Sequence, residues 1–549
     1  MNEQRSYDVV IVGAGHNGLV AACYLAHAGF EVLVAERGEE VGGAVASAEV
    51  TLPGYVHDLY ATNMNLFLGS PAFAELGEEL AAAGLAFATT DRPYASAFPD
   101  GGTLRVYQDR ARTREAIAAH DPADAEGWDR LAAAYDRFAP SLFELYGTRL
   151  PSLAAGRWAA GALRSHGRAG TAEIARLLLG TTRELGERYF HSDEAKAMVA
   201  AWGMHIDFGP DVAFGALFPF LESFADMDNG MSLVTGGAGG LPRALAAVAR
   251  AAGAEIRTAS PVTAILAADG AATGVELASG ERVGARRAVI ANLTTAPLSR
   301  LLPGEDAAGA ATRRKLGGYL YGPGTMVVHA ALNGPLPWAA GGELHRWGYV
   351  HLGPYLREMA ETYTDAANGV LPAEPLLVVG QTSAVDPSRA PGAGQVLWVQ
   401  VRMLPSAIRG DRRGEIEARD WATAKSPYAE RVLAKLERYA PGARERILEW
   451  TVLAPDDLEA ANPNLVGGDS VGGSHRLSQN ALFRPAPGLS GYRLPLARLL
   501  MVGAGTWPGA GVNAISGRLV AQHLIDGGAS GARARASAAL AGLASRLRR

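Results

Sequence analysis

Three glycines near the N-terminus have the spacing of a loop that binds a nucleotide pyrophosphate. Gly13, Gly15 and Gly18 form the pattern G-x-G-x-x-G directly after a run of aliphatic residues. The first glycine permits a tight turn, the second lets the backbone approach the phosphates, and the third lets the following helix pack closely on the strand. The helix N-terminus adds about half a positive charge. The pattern therefore predicts a dinucleotide-binding loop.

An acidic residue follows where dinucleotide recognition requires one. Glu36 comes directly after the next predicted strand. A carboxylate at this point accepts a hydrogen bond from an adenosine ribose hydroxyl and repels a 2′-phosphate, so FAD or NAD is favoured over NADP. Arg37, the next residue, is a further candidate for contact with the cofactor.

The sequence on both sides of the loop predicts the strands and the helix that must position these residues. The apolar run 9–12 predicts a strand buried on both faces of a parallel sheet, the Ala-rich segment 19–28 predicts a helix, and residues 31–35 predict a second strand. An ordinary strand–helix–strand unit that binds no nucleotide is the alternative.

A second glycine-rich loop lies near the C-terminus, at residues 503–512 (G-A-G-T-W-P-G-A-G-V). It follows a predicted buried strand, and a helix is predicted to begin near Val512. A helix N-terminus here would face an anionic or electron-rich group of the cofactor. The residues of this region that are predicted to bind the cofactor are Gly505, Thr506, Gly511, Val512 and Asn513.

Four side chains are candidates for the reaction itself. His57, Asp58 and His475 could transfer a proton, although a structural role is the more frequent one for each residue type. Trp507 could form an aromatic wall at the reaction site, and packing of its own loop is the equal alternative. We expect no metal site, because Cys23 is the only cysteine and a thiolate zinc site needs several.

The composition is that of a large globular protein with few charges. A chain of 549 residues exceeds what one hydrophobic core organises, so two domains are expected. The net charge of −5 gives no basic face for a nucleic acid, and we expect no such partner. No secretory signal precedes the first strand, which predicts a cytoplasmic protein. The arginine-rich segment after Gly527 is a candidate for peripheral membrane contact, with a solvated chain end as the more frequent alternative.

The rest of the chain predicts two interleaved domains. Residues 111–203 have the apolar periodicity of a helical cap, and residues 428–439 predict a further helix. The apolar segment 212–221 is expected to be buried in a core, with a tunnel wall or a membrane contact as alternatives. We expect a nucleotide-binding domain at residues 1–75, 229–300 and 485–549, and a substrate-binding domain at residues 76–228 and 301–484.

Together these segments resemble the phytoene desaturase-like (carotenoid desaturase-related) FAD-dependent oxidoreductases. The branch most similar to the chain contains phytoene-dehydrogenase-related and pyridine nucleotide-disulfide oxidoreductase domain-containing proteins. The motifs that carry the resemblance are V-I-V-G-A-G-H-N-G-L (10–19), G-G-A (42–44), G-G-A-G-G-L (236–241) and the loop 503–512. The resemblance implies an α/β fold: a discontinuous, Rossmann-type, two-dinucleotide-binding FAD domain with an interleaved α+β substrate domain and helical cap.

The resemblance also implies the cofactor, FAD, and further contacts with it. Gly42 and Gly43 would let a loop pass close to the dinucleotide, with Ala44 beside them, and the backbone at Val262 would contact the adenine. Two positions depart from the carotenoid desaturases, which usually have Arg at Ala44 and His at Trp507. A carotenoid substrate is therefore not implied.

The reaction implied by the resemblance is hydride transfer from a C–H bond of a hydrophobic organic substrate to flavin N5. The electron acceptor, oxygen or a quinone, is left open. Three alternatives remain: a flavin amine oxidase, a redox-neutral FAD-dependent polyene isomerase, and a non-enzymatic lipid or prenyl carrier. A carrier needs no intact dinucleotide loop, whereas this chain has one.

Overall fold

A computed structural model describes residues 5–304, 307–353 and 355–527. Its strands, in chain order, are β1 Ser6–Val12, β2 Val32–Ala35, β3 Ser47–Ala48, β4 His57–Asp58, β5 Phe87–Thr90, β6 Tyr94–Ala97, β7 Thr103–Arg105, β8 Met231–Val234, β9 Glu255–Arg257, β10 Val262–Ala268, β11 Ala271–Leu277, β12 Arg282–Ala291, β13 Gly324–Leu332, β14 Tyr349–Leu352, β15 Val370–Leu371, β16 Leu377–Gly380, β17 Gln395–Leu404, β18 Gly410–Asp411, β19 Ile447–Leu453 and β20 Leu499–Met501.

The helices are α1 His16–His27, α2 Asn65–Leu68, α3 Pro71–Ala82, α4 Arg110–His120, α5 Pro122–Tyr146, α6 Leu153–Leu179, α7 Thr182–Tyr189, α8 Asp193–Met204, α9 Leu217–Asn229, α10 Gly240–Ala251, α11 Thr295–Leu301, α12 Ala307–Leu316, α13 Leu356–Ala367, α14 Thr382–Val385, α15 Trp421–Tyr439, α16 Ala443–Arg446 and α17 Pro455–Ala461. A last helix, α18, begins at residue 515.

The first large sheet has the strand order β10-β11-β12-β1-β2-β9, and β20 pairs with the end of β12. Strands β20, β12, β1, β2 and β9 run parallel, whereas β10 and β11 form an antiparallel extension. Apolar clusters cover both faces of this sheet, which explains the uninterrupted aliphatic run in β1. Its strands come from residues 1–75, 229–300 and 485–549.

The second large sheet has the order β19-β13-β17-β16-β14-β6-β7, and its strands come from residues 76–228 and 301–484. One face packs on α15. The other face joins an aromatic core formed with helices α5 to α9. The two sheets and this helical cap confirm the predicted α/β fold with an interleaved second domain.

Most elements lie where the sequence predicts them, and two boundaries differ. Helix α15 begins at Trp421, before the predicted start at residue 428, because the carboxylate of Asp420 accepts the N–H of Thr423 and caps the helix. Helix α18 begins at residue 515 rather than near Val512. Asn513 accepts the N–H of Ile515 through its side-chain oxygen, which forms a turn before the helix.

The apolar segment 212–221 packs mainly in the core of the cap, as predicted. Phe214, Leu217 and Phe220 are buried there, while Phe218 lies on a cavity wall. Among the described helices none is long and apolar enough to cross a membrane. The arginine-rich segment after Gly527 lies outside the described residues.

A buried ion-pair network joins the two sheets. Arg389 donates to Asp58 at 2.7 Å and to Asp386 at 3.1 Å, and all three side chains are buried. Backbone N–H groups of the G-G-A-G-G-L turn complete the network, because Gly236 donates to Asp386 and Ala238 donates to Asp58, each at 2.7 Å. The motif therefore holds two carboxylates that come from distant parts of the chain.

We expect Arg389→Met to lower the free energy of unfolding by about 3–5 kcal/mol, because it leaves two buried carboxylates without their cation. The measurement is chemical denaturation followed by fluorescence and circular dichroism. The control is Arg357→Met, which removes an exposed pair with Glu361 and should change stability by less than about 1 kcal/mol. Equal effects of the two substitutions would contradict a structural role for the network.

Candidate functional site

The turn between β1 and α1 leaves no room for side chains. Gly13 has a φ of +94°, and a Cβ on Gly18 would lie 2.5 Å from the carbonyl oxygen of Gly13. The side-chain amide of Asn292 donates to the carbonyl oxygens of Gly13 and Gly15 and so holds the turn open. Gly13 and Gly15 line a cavity, whereas Gly18 packs the helix against the turn.

The predicted ribose-binding carboxylate is held in place at the end of β2. Glu36 accepts the N–H of Ala14 at 2.7 Å and the N–H of Gly38 at 2.8 Å, one on each oxygen. Each oxygen keeps a further lone pair, and the residue lines the same cavity, as do Arg37 and Val262. The three residues predicted from the two halves of the nucleotide domain therefore lie at one site.

The glycine doublet crosses directly over the turn. The N–H of Gly42 donates to the carbonyl of Ala14, and a Cβ on Gly43 would lie 3.4 Å from the Cα of Gly15. Gly42 has a φ of +135°, and its Cβ would lie 2.4 Å from the carbonyl oxygen of Val45. Glycine is required here because two backbone segments meet, and Gly43 and Ala44 are left facing the cavity.

Of the C-terminal loop, Gly511 and Val512 line the cavity, and Gly505, Thr506 and Asn513 do not. Thr506 donates its hydroxyl to the carbonyl of Gly503 at 2.8 Å, and Asn513 donates to the carbonyl of Ala510 at 3.2 Å. These three residues therefore lie on the side of the loop that faces away from the cavity, where they help to set its conformation.

The four predicted reaction-site residues do not contribute to the described cavity wall. Asp58 belongs to the ion-pair network, and His57 is buried beside it with its pKa lowered to about 4, because burial and then the charge of Arg389 oppose protonation. His475 accepts the N–H of Ala510 at 2.9 Å, and burial lowers its pKa well below the ordinary value. Their contacts are those of positioning residues, and a catalytic role for them stays a prediction.

Trp507 joins the C-terminal loop to the helical cap. Its indole N–H donates to the carbonyl of Thr148 at 3.0 Å, and its ring stacks on Tyr146 with centroids 5.4 Å apart. The side chain is buried. Of the two roles weighed for this residue, the contacts are those of loop packing.

The cavity itself has a volume of about 600 Å³ and extends from the glycine turn to the second sheet. Its far wall was not predicted from the sequence. The residues of that wall that come from α8, α9, β14, β17 and the chain following α8 are Trp202, His205, Ile206, Phe218, Glu222, Tyr349, Trp398, Gln400 and Arg402. Aromatic and aliphatic surface dominates, so this end forms an apolar chamber continuous with the nucleotide end.

The chamber also carries a buried positive charge. Arg402 donates to the carbonyl oxygens of Met204 and Ile206 and to the hydroxyls of Thr325 and Ser470, all of them neutral acceptors. Burial lowers its pKa to about 10, so the guanidinium remains protonated at neutral pH. A fixed charge of this kind favours negative charge that develops in the cavity.

A histidine pair lies beside it. The Nε2 atoms of His205 and His351 are 3.0 Å apart, so one ring donates and the other accepts. Burial lowers the pKa of both residues, that of His351 to about 3. The pair is neutral at physiological pH.

The cavity fits an FAD molecule at its nucleotide end. The glycine turn offers a helix N-terminus to a pyrophosphate, and Glu36 offers acceptor oxygens to a ribose. A Cβ on Gly15 would begin to fill the space beside the turn, which glycine leaves free. The chamber beyond offers an apolar surface to a flat ring system. Among the described residues no group of three or more His, Cys, Asp or Glu is placed to hold a metal ion.

This fold and site define an FAD-dependent oxidoreductase. The chain belongs to the family of flavin-containing amine oxidoreductases, whose family model matches residues 18–465. It is similar to pyridine nucleotide-disulfide oxidoreductase domain-containing protein 2 of Rattus norvegicus, with 28% identity over 94% of this chain and 93% of the relative. FAD, predicted as the cofactor, is confirmed.

Two further relatives support the predicted resemblance to desaturases. A subunit of limonene dehydrogenase from Castellaniella defragrans is 26% identical over 93% of this chain and 92% of its own length. Phytoene desaturase (neurosporene-forming) of Rhodobacter capsulatus is 27% identical over 94% of each chain. A crystal structure of an oxidoreductase from Methanosarcina mazei has the same fold, with a TM-score of 0.59 and 18% identity over 94% of this chain and 99% of that one.

We expect Gly15→Ala to purify with less than a tenth of the FAD bound by the wild type, because its methyl group would lie 2.8 Å from the Asn292 amide and intrude where the pyrophosphate must approach. The measurement is the ratio of flavin to protein absorbance. Gly161→Ala is the control, since a Cβ there meets no atom within 4 Å. Full FAD occupancy in a folded Gly15→Ala variant would refute this placement of the cofactor.

Proposed function

We propose that the protein dehydrogenates a hydrophobic organic substrate. A hydride leaves one carbon and a proton leaves its neighbour, so that a C=C or C=N bond forms. Bound FAD supplies the two-electron acceptor, at flavin N5. The observation that carries the proposal is the continuity of an apolar aromatic chamber with the nucleotide-binding turn in one cavity.

The residues of the chamber bind and orient such a substrate mainly by burial. Trp202, Phe218, Tyr349 and Trp398 present aromatic surface, and each square ångström of apolar substrate surface removed from water contributes about 25 cal/mol. These walls also exclude water from the reacting carbon.

The titratable groups of the chamber are weak bases. His205 is neutral, with its pKa lowered by burial, and burial raises the pKa of Glu222 well above its ordinary value, with the neighbouring Asp226 adding to the effect. Neither group is a strong proton acceptor at the start of a reaction. This favours a substrate whose hydride loss leaves a charge that is delocalised over neighbouring double bonds, since a weak base then suffices for the proton.

The names of two relatives support a substrate of this class. Limonene dehydrogenase and phytoene desaturase are named for hydrocarbon substrates with several double bonds. Because the chain departs from the carotenoid desaturases at Ala44 and Trp507, its particular substrate has to be identified by experiment.

We expect anaerobic mixing of the FAD-loaded protein with unsaturated terpenoids to bleach the visible absorbance of the flavin, whereas saturated analogues do not. The measurement is stopped-flow absorbance across a panel of terpenoids, polyenes, unsaturated lipids and primary amines. Reduction by amines alone would contradict the proposal in favour of an amine oxidase, and product formation without net flavin reduction would favour an isomerase.

A matched pair of variants tests whether the chamber is the substrate site. Phe218→Ser removes an aromatic surface from the wall and should weaken substrate binding about tenfold or more, because burying such a side chain contributes about 1.5–3 kcal/mol. Phe143→Ser changes the same residue type at an exposed position of α5 and should leave reduction unchanged. Equal reduction kinetics in both variants would place the substrate elsewhere.

A further inference from the structure

One carboxyl group on the chamber wall has no hydrogen-bond partner among the residues that the structure describes. Glu222 is only 6% exposed and lines the cavity, and within the described ranges neither of its side-chain oxygens has a hydrogen bond. Buried polar groups are nearly always satisfied, so a carboxyl that faces a cavity without a partner indicates that a ligand group supplies one.

The neighbouring carboxyl group, that of Asp226, lies on the same helix face and has its hydrogen bonds satisfied. Phe218, Glu222 and Asp226 follow at four-residue spacing along α9 and therefore share one face. Asp226 accepts two hydrogen bonds from Asn63, at 2.9 and 2.8 Å, and one from Asn65 at 2.6 Å. Those bonds fasten α9 to residues 63–65. Because Asp226 already makes this attachment, Glu222 is not needed to hold the helix.

We propose that Glu222 recognises an oxygen atom, of a hydroxyl or carbonyl group, on an otherwise hydrophobic substrate. The proposal rests on the proposed function, since it concerns the substrate of the same chamber. It deepens that function by assigning the substrate to oxygenated hydrophobic compounds rather than to pure hydrocarbons.

The environment of Glu222 favours a neutral donor. Burial, together with the charge of Asp226, raises the pKa of Glu222 well above its ordinary value and so favours the protonated carboxylic acid. A carboxylic acid donates its O–H to a hydroxyl or carbonyl oxygen. An ammonium group would require Glu222 to ionise beside Asp226. A hydrocarbon would cover the carboxyl and leave it unpaired, which is how sites of this kind reject analogues that lack the polar group.

Three ligands of equal chain length separate these possibilities: n-decanol, n-decane and n-decylamine. Their dissociation constants are measured from the shift of the flavin spectrum in oxidised, FAD-loaded protein. Glu222→Leu should weaken n-decanol binding by about ten- to a hundredfold and leave n-decane equal or tighter. Glu222→Gln should keep n-decanol within about threefold, because its amide N–H still donates. The control is Glu187→Leu, at an exposed position of α7, which should change none of the constants.

Unchanged n-decanol binding in Glu222→Leu would overturn the proposal. A loss of n-decylamine binding in Glu222→Gln that exceeds the loss of n-decanol binding would overturn it as well, in favour of an ionised carboxylate that binds a cation. The comparison of n-decylamine with n-decanol in Glu222→Gln tests the proposal even if Glu222→Leu does not retain FAD. The proposed dehydrogenation is judged separately by anaerobic flavin reduction, so either proposal can fail while the other stands.

Discussion

Arg389 donates to the carboxylates of Asp58 and Asp386 in a region from which water is excluded, and the backbone N–H groups of Gly236 and Ala238 donate to the same two carboxylates. A buried charge of this kind tolerates no loss of a partner. The contact joins three segments of the chain. One follows β2 of the first large sheet, one is the turn through which the chain returns to that sheet, and one lies between β16 and β17 of the second large sheet. This contact therefore fastens the segment before β17 to β4 and to the turn before α10.

The sequence predicts the fold and the cofactor end of the site because both depend on local patterns. The spacing of Gly13, Gly15 and Gly18 follows from backbone sterics within one turn, and the apolar runs of β1 and β2 follow from burial on two faces. The predicted starts of two helices were wrong because a single side chain determines each of them. Asp420 and Asn513 set the starts of α15 and α18 through single hydrogen bonds to the backbone.

The substrate end could not be predicted in the same way. Trp202 and Glu222 come from the helical cap, whereas Trp398 and Arg402 come from β17, and only long-range packing brings them to one wall. Residue type made His57 a candidate for proton transfer, with a structural role as the more frequent one, and burial and the nearby Arg389 keep it neutral in the core. The signal that could have identified the wall is the pair of acidic residues Glu222 and Asp226, four residues apart within a mainly apolar segment.

The interleaved strand order has a consequence for biosynthesis. The cavity takes residues from the turn at Gly13 and from the loop at Gly511, and Trp507 fastens that loop to the cap through Thr148. At roughly 5–20 residues per second, a ribosome needs on the order of 25–100 s to pass from the first glycine to the last. During that interval the nascent chain exposes an incomplete apolar chamber. The complete wall of the flavin cavity therefore forms only after the loop at Gly511 has been synthesised.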